Sequence, residues 1–135
     1  MRLLQIALAI LMSVIAGSCS LPVGPTDLTG TYEVSYDYGL ETLLLKADGT
    51  YHQCFRDKNG VLTENDGKWE FTGKSSVFQN RLLLEDALVL YRLHGEPPSK
   101  VKKMNWLIEP RKSIWGSVTL IFNEDLDLAY KKNRE

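Results

Sequence analysis

Apolar and polar residues alternate in short runs along most of the chain after residue 30. Tyr32, Val34 and Tyr36, for example, fall on one face of an extended run, with polar residues between them. A period of two residues predicts strands that bury one face. The predicted strands cover residues 31–37, 41–47, 50–56, 61–71, 102–108, 115–122 and 128–131.

Short turns join several of these runs. Asp48-Gly49 separates two strand-like segments, and Asn59-Gly60 follows the second of them. Both dipeptides are typical of tight β-hairpins, so consecutive strands are predicted to pair antiparallel. The pattern also predicts an interruption of the fourth strand at residues 65–67 and the end of a later strand at Pro110.

The leucine-rich segment from Arg81 to Leu93 allows two interpretations. It fits two short strands divided by Glu85-Asp86, or one helix, and strands are favoured because its neighbours are strands. About eight strands then follow one another at short spacing, which predicts an all-β fold. The expected architecture is a small antiparallel up-and-down β-barrel, whose closure removes exposed edges, with an open β-sandwich as the alternative.

The first residues have a different character. Arg2 precedes an apolar run, Leu3–Ile15, and small residues lead directly to Cys19. This order is typical of an export signal, and the apolar run is shorter than the ~20 residues of a membrane-spanning helix. The segment resembles the lipobox of bacterial lipoproteins, although Ala16 replaces the larger aliphatic residue that is usual there. Ordinary secretion and a retained anchor remain the alternatives.

The lipobox resemblance implies a location and an anchor. A signal peptide over residues 1–18 would be removed, and acyl chains such as palmitate would attach Cys19 to a membrane of the bacterial cell envelope. Ser20 favours the outer membrane, with the protein facing the periplasm. Residues 19–27 are then an irregular lipidated tether, and residues 28–135 form the β domain.

Composition excludes few functions. Removal of the first 18 of 135 residues leaves 117, which suits one domain, and loss of Arg2 changes the net charge from −1 to −2. This balance gives no reason to expect nucleic acid as a partner. With Cys19 acylated, Cys54 has no partner within the chain, and we expect it to pack as a small buried residue, with a reactive thiol or an intermolecular disulfide as the alternative.

Residues 28–71 resemble lipocalin-like domains. Leu28-Thr29-Gly30-Thr31-Tyr32 is similar to their opening motif, in which an aromatic residue two positions after a glycine plugs the base of the barrel. The segments Leu45–Tyr51 and Gly67–Glu70 are also similar to small bacterial lipocalin-like lipoproteins. The resemblance implies an up-and-down barrel more than it implies a ligand.

Six aromatic residues on the predicted inward faces are the candidate ligand-binding residues. They are Tyr32, Tyr51, Phe55, Trp69, Trp106 and Phe122. They either line a cavity for a small apolar ligand or fill the core of a narrow barrel. The sequence therefore predicts a binding module for such a ligand or for an envelope protein. A structural or stress-related lipoprotein without a ligand is the alternative, and a hydrolase is a more distant one.

No residue pattern identifies a catalytic site, a metal site or a cofactor. His52 and Cys54 share a strand face, but two ligands are too few for a metal site. No serine lies in a nucleophile pattern. The last feature is a basic stretch with interleaved apolar residues, formed by Lys100, Lys102, Lys103, Arg111 and Lys112. It either contacts anionic lipid headgroups or keeps a strand edge soluble.

Overall fold

The computed structural model describes residues 21–72, 80–91, 97 and 100–133. The chain forms one short helix, α1 (Pro25–Leu28), and a closed barrel of eight strands, each antiparallel to the next, with β8 paired to β1. The strands are β1 (Gly30–Tyr36), β2 (Gly39–Leu45), β3 (Thr50–Asp57), β4 (Leu62–Thr72), β5 (Arg81–Val89), β6 (Lys102–Lys112), β7 (Val118–Asn123) and β8 (Leu128–Lys132). The predicted up-and-down barrel is confirmed, and the open sandwich is excluded. Within the described ranges, no helix is long and apolar enough to cross a membrane.

Three sequence-based boundaries were wrong. The fourth strand is not interrupted, because Asn65 and Gly67 both pair with β3. Pro110 does not end β6 but pairs with Leu120. The β5 pairing ends at Ile108, so Pro110 has only β7 beside it, which is the kind of edge position that proline tolerates. The seventh strand begins at Val118, and Trp115 lies in the preceding turn.

The segment from Arg81 forms one strand with a β-bulge. The β5–β6 register shifts between Leu84 and Ala87, and Asp86 has a φ of 51°. The Tyr51 hydroxyl donates a hydrogen bond of 2.6 Å to the carbonyl oxygen of Glu85, so an interior side chain fixes the bulge. The bulge leaves Glu85 and Asp86 exposed while apolar residues on both sides stay inside. Residues 92 and 93 lie outside the described part.

The barrel has two unlike ends. The end that we call the base carries α1, the β2–β3 turn and the β6–β7 turn. Leu28 in α1 is fully buried there, and the hydroxyl of Tyr32, also fully buried, donates to the Leu28 carbonyl oxygen over 2.8 Å. The opposite end, which we call the mouth, carries the β1–β2, β3–β4 and β7–β8 turns, and β5 ends and β6 begins there. The base is therefore plugged.

The segment expected to be an irregular tether is partly ordered against the base. The Leu21 amide donates to the Lys112 carbonyl oxygen over 3.0 Å. The Lys112 ammonium lies 2.8 Å from the Asp27 carboxylate, and the Lys132 ammonium donates to the Asp27 carbonyl oxygen over 2.8 Å. These contacts strap residues 21–28 to the barrel. Because the plugged barrel contains a continuous buried core, we expect residues 20–135 to fold without the preceding segment.

Candidate functional site

Side chains fill the lower interior of the barrel. The largest fully buried side chains are three tyrosines, seven leucines, an isoleucine and a glutamine: Tyr32, Tyr51, Tyr130, Leu28, Leu43, Leu45, Leu82, Leu84, Leu90, Leu120, Ile108 and Gln53. All but two of these residues lie in strands, and the set draws on β1, β2, β3, β5, β6, β7 and β8. The two exceptions are Leu28 in α1 and Leu90 just after β5. An eight-stranded barrel has an interior about wide enough for side chains, so this filling is expected.

A polar network lies within this apolar interior. Glu41 is fully buried, and its Oε1 accepts hydrogen bonds of 2.5 Å from Gln53 Nε2 and from the Tyr130 hydroxyl. Its Oε2 accepts a hydrogen bond of 2.8 Å from the Tyr36 hydroxyl. Gln53 also bonds both backbone groups of Leu88, at 2.8 Å from the amide and 3.1 Å to the carbonyl oxygen. Three neutral donors thus surround one carboxyl group, and the network ties β1, β2, β3, β5 and β8 together.

Burial raises the pKa of Glu41, and the three hydrogen bonds offset part of that effect. Burial also raises the pKa of Tyr130 well above its usual value, and the neighbouring Glu41 charge adds to the shift. The pKa of Tyr36 is raised by burial first and then by Glu41. Both phenols therefore remain neutral donors at ordinary pH.

A cleft of about 470 Å³ lies at the mouth, above this network. Its apolar walls come from Tyr38, Phe55, Leu90, Pro97 and Val101. The Tyr38 hydroxyl donates to the Leu90 carbonyl oxygen over 2.6 Å and so crosses from the β1–β2 turn to the end of β5. The volume lies within the range of small-molecule sites, and most of the lining is hydrophobic, as in such sites.

Stacked aromatic rings separate the cleft from Glu41. The rings of Tyr36 and Tyr38 stack with centroids 5.1 Å apart, and Phe55 lies 6.1 Å from Tyr38. Tyr36 also donates to Glu41, so the floor of the cleft is coupled directly to the buried carboxyl group. Burial, with a smaller effect of Glu41, raises the pKa of Tyr38 to about 12. The floor is therefore uncharged at neutral pH.

Polar residues of the β3–β4 turn form one rim of the cleft. Asp57 Oδ1 accepts the amides of Asn59 and Val61, both at 2.8 Å, so this carboxylate is used within the turn. Lys58 is exposed and lines the cleft. None of the ion pairs formed by the described residues involves Lys58. Among the described residues that line the cleft, Lys58 is the one that carries a positive charge.

The structure places the six aromatic candidate residues in different parts of the barrel. Of these, Phe55 is the one that lines the mouth cleft as described. Tyr32 and Tyr51 are fully buried in the filled interior. Trp106 is buried in the core, where its ring stacks on Phe122 with centroids 5.4 Å apart, and the Trp69 indole donates to the Lys46 carbonyl oxygen near the base.

Two contributors to the site were missed in the sequence. Glu41 shares its strand parity with Leu43 and Leu45, which the structure buries, but the three consecutive leucines Leu43–Leu45 show no alternation that would have indicated this face in the sequence. Tyr38 lies just beyond the predicted first strand, and no sequence signal indicated that its hydroxyl would reach Leu90. The expected burial of Cys54 was too strong, because this free cysteine is half-buried.

Other sequence candidates lie on the outer surface. His52 Nδ1 is 2.9 Å from Asp66, and His52 Nε2 is 3.5 Å from Glu64 on the neighbouring strand. The described residues include no group of three or more His, Cys, Asp or Glu side chains placed to hold a metal ion. This cluster is therefore interpreted as a surface hydrogen-bonding group across β3 and β4.

No protein-family model, curated protein or solved structure matches this chain.

Proposed function

We propose that this chain is a lipid-anchored protein of the bacterial cell envelope that binds a small, mainly apolar molecule bearing an anionic group. The anchor is the acylated Cys19, as the lipobox resemblance implies, and the ligand site is the mouth cleft. The observation that carries the ligand proposal is the cleft itself, which offers about 470 Å³ between aromatic and aliphatic side chains.

The rim supports the proposed chemistry of the ligand. Lys58 supplies a cation beside apolar walls, and the carboxylate of Asp57 is already bonded to two turn amides. A molecule with an apolar body would contact Phe55 and Val101, and its acidic group would face the ammonium. The stacked floor and the filled interior limit the depth of insertion, so the site suits a compact ligand rather than a long chain.

No catalytic step is part of the proposal. The carboxyl group of Glu41 is separated from the cleft by the rings of Tyr36 and Tyr38, and its oxygens accept three hydrogen bonds within the network. Such a group holds side chains in place without access to a substrate. This supports a binding role over the hydrolase alternative.

Titration of residues 20–135 with two fluorescent probes tests the ligand site. Anilinonaphthalene sulfonate has an aromatic body and an anionic group, and phenylnaphthylamine has a similar body without charge. Val101→Asp should weaken sulfonate binding about tenfold or more, because it removes apolar surface and adds a repelling carboxylate. Lys58→Glu should weaken sulfonate binding by roughly fivefold and leave the neutral probe almost unchanged, as expected for one exposed charge pair.

A matched control is Leu107→Asp, which alters an exposed leucine of β6 away from the mouth cleft. This variant should bind both probes like the wild type. Equal weakening by Leu107→Asp and Val101→Asp would contradict the site. Failure of both probes to bind the folded wild-type protein would favour a structural lipoprotein without a small ligand.

A further inference from the structure

We propose that the β6–β7 turn, Ser113–Ser117, inserts its tip into the headgroup region of the membrane to which the N-terminal segment attaches. The tip consists of Ile114 and Trp115, whose side chains are 60% and 88% exposed. This inference rests on the proposed attachment at Cys19. It adds a protein contact with the bilayer that the acyl anchor does not itself require.

The turn is built to present these two residues. Gly116 donates its amide to the Ser113 carbonyl oxygen over 2.9 Å, and Ser113 donates to the Ser117 carbonyl oxygen, also over 2.9 Å. The two serine hydroxyls lie 2.7 Å apart, and Gly116 has a φ of 81°, which glycine adopts readily. The corner positions of such turns usually carry Gly, Pro, Asn, Asp or Ser. The isoleucine and the tryptophan at the corners of this well-bonded turn therefore form an exposed apolar tip that an apolar partner would cover.

The covalent chain places this turn next to the proposed anchor. Leu21, which is 41% exposed, is bonded through its amide to Lys112, the residue that directly precedes the turn. Cys19 is two positions before Leu21, and two residues span at most about 7 Å. An acyl group on Cys19 would hold the base of the barrel, and the β6–β7 turn with it, within that reach of the lipid surface.

The two cations that directly precede the turn are already engaged in ion pairs. The Lys112 ammonium is paired with Asp27, and the Arg111 guanidinium is paired with Glu109 and Glu124. The cations at this end of β6 are therefore already compensated. Uncharged phosphatidylcholine should suffice as the partner, because tryptophan favours the membrane interface without needing anionic lipid.

The geometry also divides the basic stretch found in the sequence. Lys102 and Lys112 are at opposite ends of β6, and ten residue steps along a strand cover about 33 Å. Lys100, Lys102 and Lys103 thus lie toward the mouth, away from the tether. If the base faces the membrane, the lysines at the mouth end of this stretch lie too far from the bilayer to contact lipid headgroups.

Lipid quenching of tryptophan fluorescence tests the proposal on the acylated mature protein, residues 19–135. The protein is reconstituted into phosphatidylcholine vesicles with or without brominated acyl chains, and flotation reports whether it is attached. We expect brominated lipid to quench the wild-type emission and Trp115→Phe to lose at least about two-thirds of that quenching, since interfacial tryptophans lie within reach of the upper acyl chains. Trp69 and Trp106 account for the remaining emission.

A matched control moves the tryptophan to the other end. Val61 is 59% exposed at the β3–β4 turn of the mouth, so Val61→Trp is made in the Trp115→Phe background. Its added emission should be quenched by aqueous iodide and unaffected by brominated lipid.

The possible outcomes distinguish a failure of the proposed turn contact from a failure of the acyl anchor. Vesicles that float with the protein while Trp115 remains unquenched would overturn the turn contact and leave the attachment intact. Protein that does not float would overturn both. Shielding of Trp115 from iodide in unacylated residues 20–135, together with a dimeric mass, would assign the turn to a second copy and also overturn the proposal.

Discussion

At the scale of single residues, the pKa of Glu41 is shifted by the burial of its carboxyl group. Its carboxyl group has no exposed surface, and burial keeps its pKa above the usual value. A group whose pKa is higher in the folded state than in the unfolded chain binds its proton more tightly when folded. Its contribution to stability is complete below the unfolded pKa and is lost as the pH rises through the folded pKa.

Glu41→Gln should remove this pH dependence. We expect the free energy of unfolding of the wild type, minus that of the variant, to fall as the pH rises above about 4.3, by about 1.4 kcal/mol for each unit by which the pKa is raised. Urea unfolding over a series of pH values measures the difference, and subtraction cancels groups shared by both proteins. A difference that grows with pH would mean that the hydrogen bonds outweigh burial and that the pKa is lowered.

Gly67 shows why a turn signal in a sequence can belong to a strand. A Cβ at this position would lie 2.5 Å from the Tyr51 ring and 2.6 Å from the Glu85 carbonyl oxygen. Gly67→Ala should therefore lower the free energy of unfolding by about 1–3 kcal/mol, as overpacking does. Gly24→Ala is the control, because its Cβ would meet its nearest neighbour at 3.6 Å. Equal chemical denaturation midpoints for the two variants would contradict the close approach.

At the scale of elements, the local alternation of apolar and polar residues was sufficient to predict a strand wherever one face of that strand is buried. The alternation of Tyr32, Val34 and Tyr36 specified β1 nearly to the residue, because every second side chain faces the core. Long-range contacts decided the rest. The bulge at Glu85-Asp86 depends on a bond from Tyr51 on another strand, and Pro110 is tolerated only because β5 has already ended.

The same limit applies to the candidate site. The two-residue alternation alone identified the aromatic residues on inward faces. It does not tell how far each residue lies from the mouth along the barrel axis. Phe55 reaches the mouth, whereas Tyr51 on the same face is fully buried. Which inward residue lines the cleft depends on how the strands are staggered around the barrel, and that stagger is set by pairing across the whole sheet.

The strap between α1 and β6 makes a prediction about the N-terminal element. The Lys112 ammonium holds the pKa of Asp27 below its usual range, so the stability from this pair is present above the unfolded pKa and is lost as the pH falls. Asp27→Asn should cost up to about 1 kcal/mol, as a partly exposed ion pair does, and should speed amide exchange at Leu21. Asp37→Asn, an exposed change in the β1–β2 turn, is the control and should leave exchange at Leu21 unchanged. Slow exchange at Leu21 in the Asp27 variant would mean that the strap depends on the backbone alone.

For the whole molecule, the two proposed sites lie at opposite ends of one strand. Val101 directly precedes β6 at the mouth, and Trp115 follows it at the base, so about 33 Å of strand separates the ligand cleft from the membrane contact. Changes so far apart with no shared partner are expected to act independently. Val101→Asp should weaken probe binding without altering the lipid quenching of Trp115. Trp115→Phe should lower the lipid quenching of the tryptophan emission without altering probe binding. The double variant should show each change at the size seen in its single variant. Lower lipid quenching in Val101→Asp would place the mouth at the bilayer, and the barrel would then stand on the membrane the other way up.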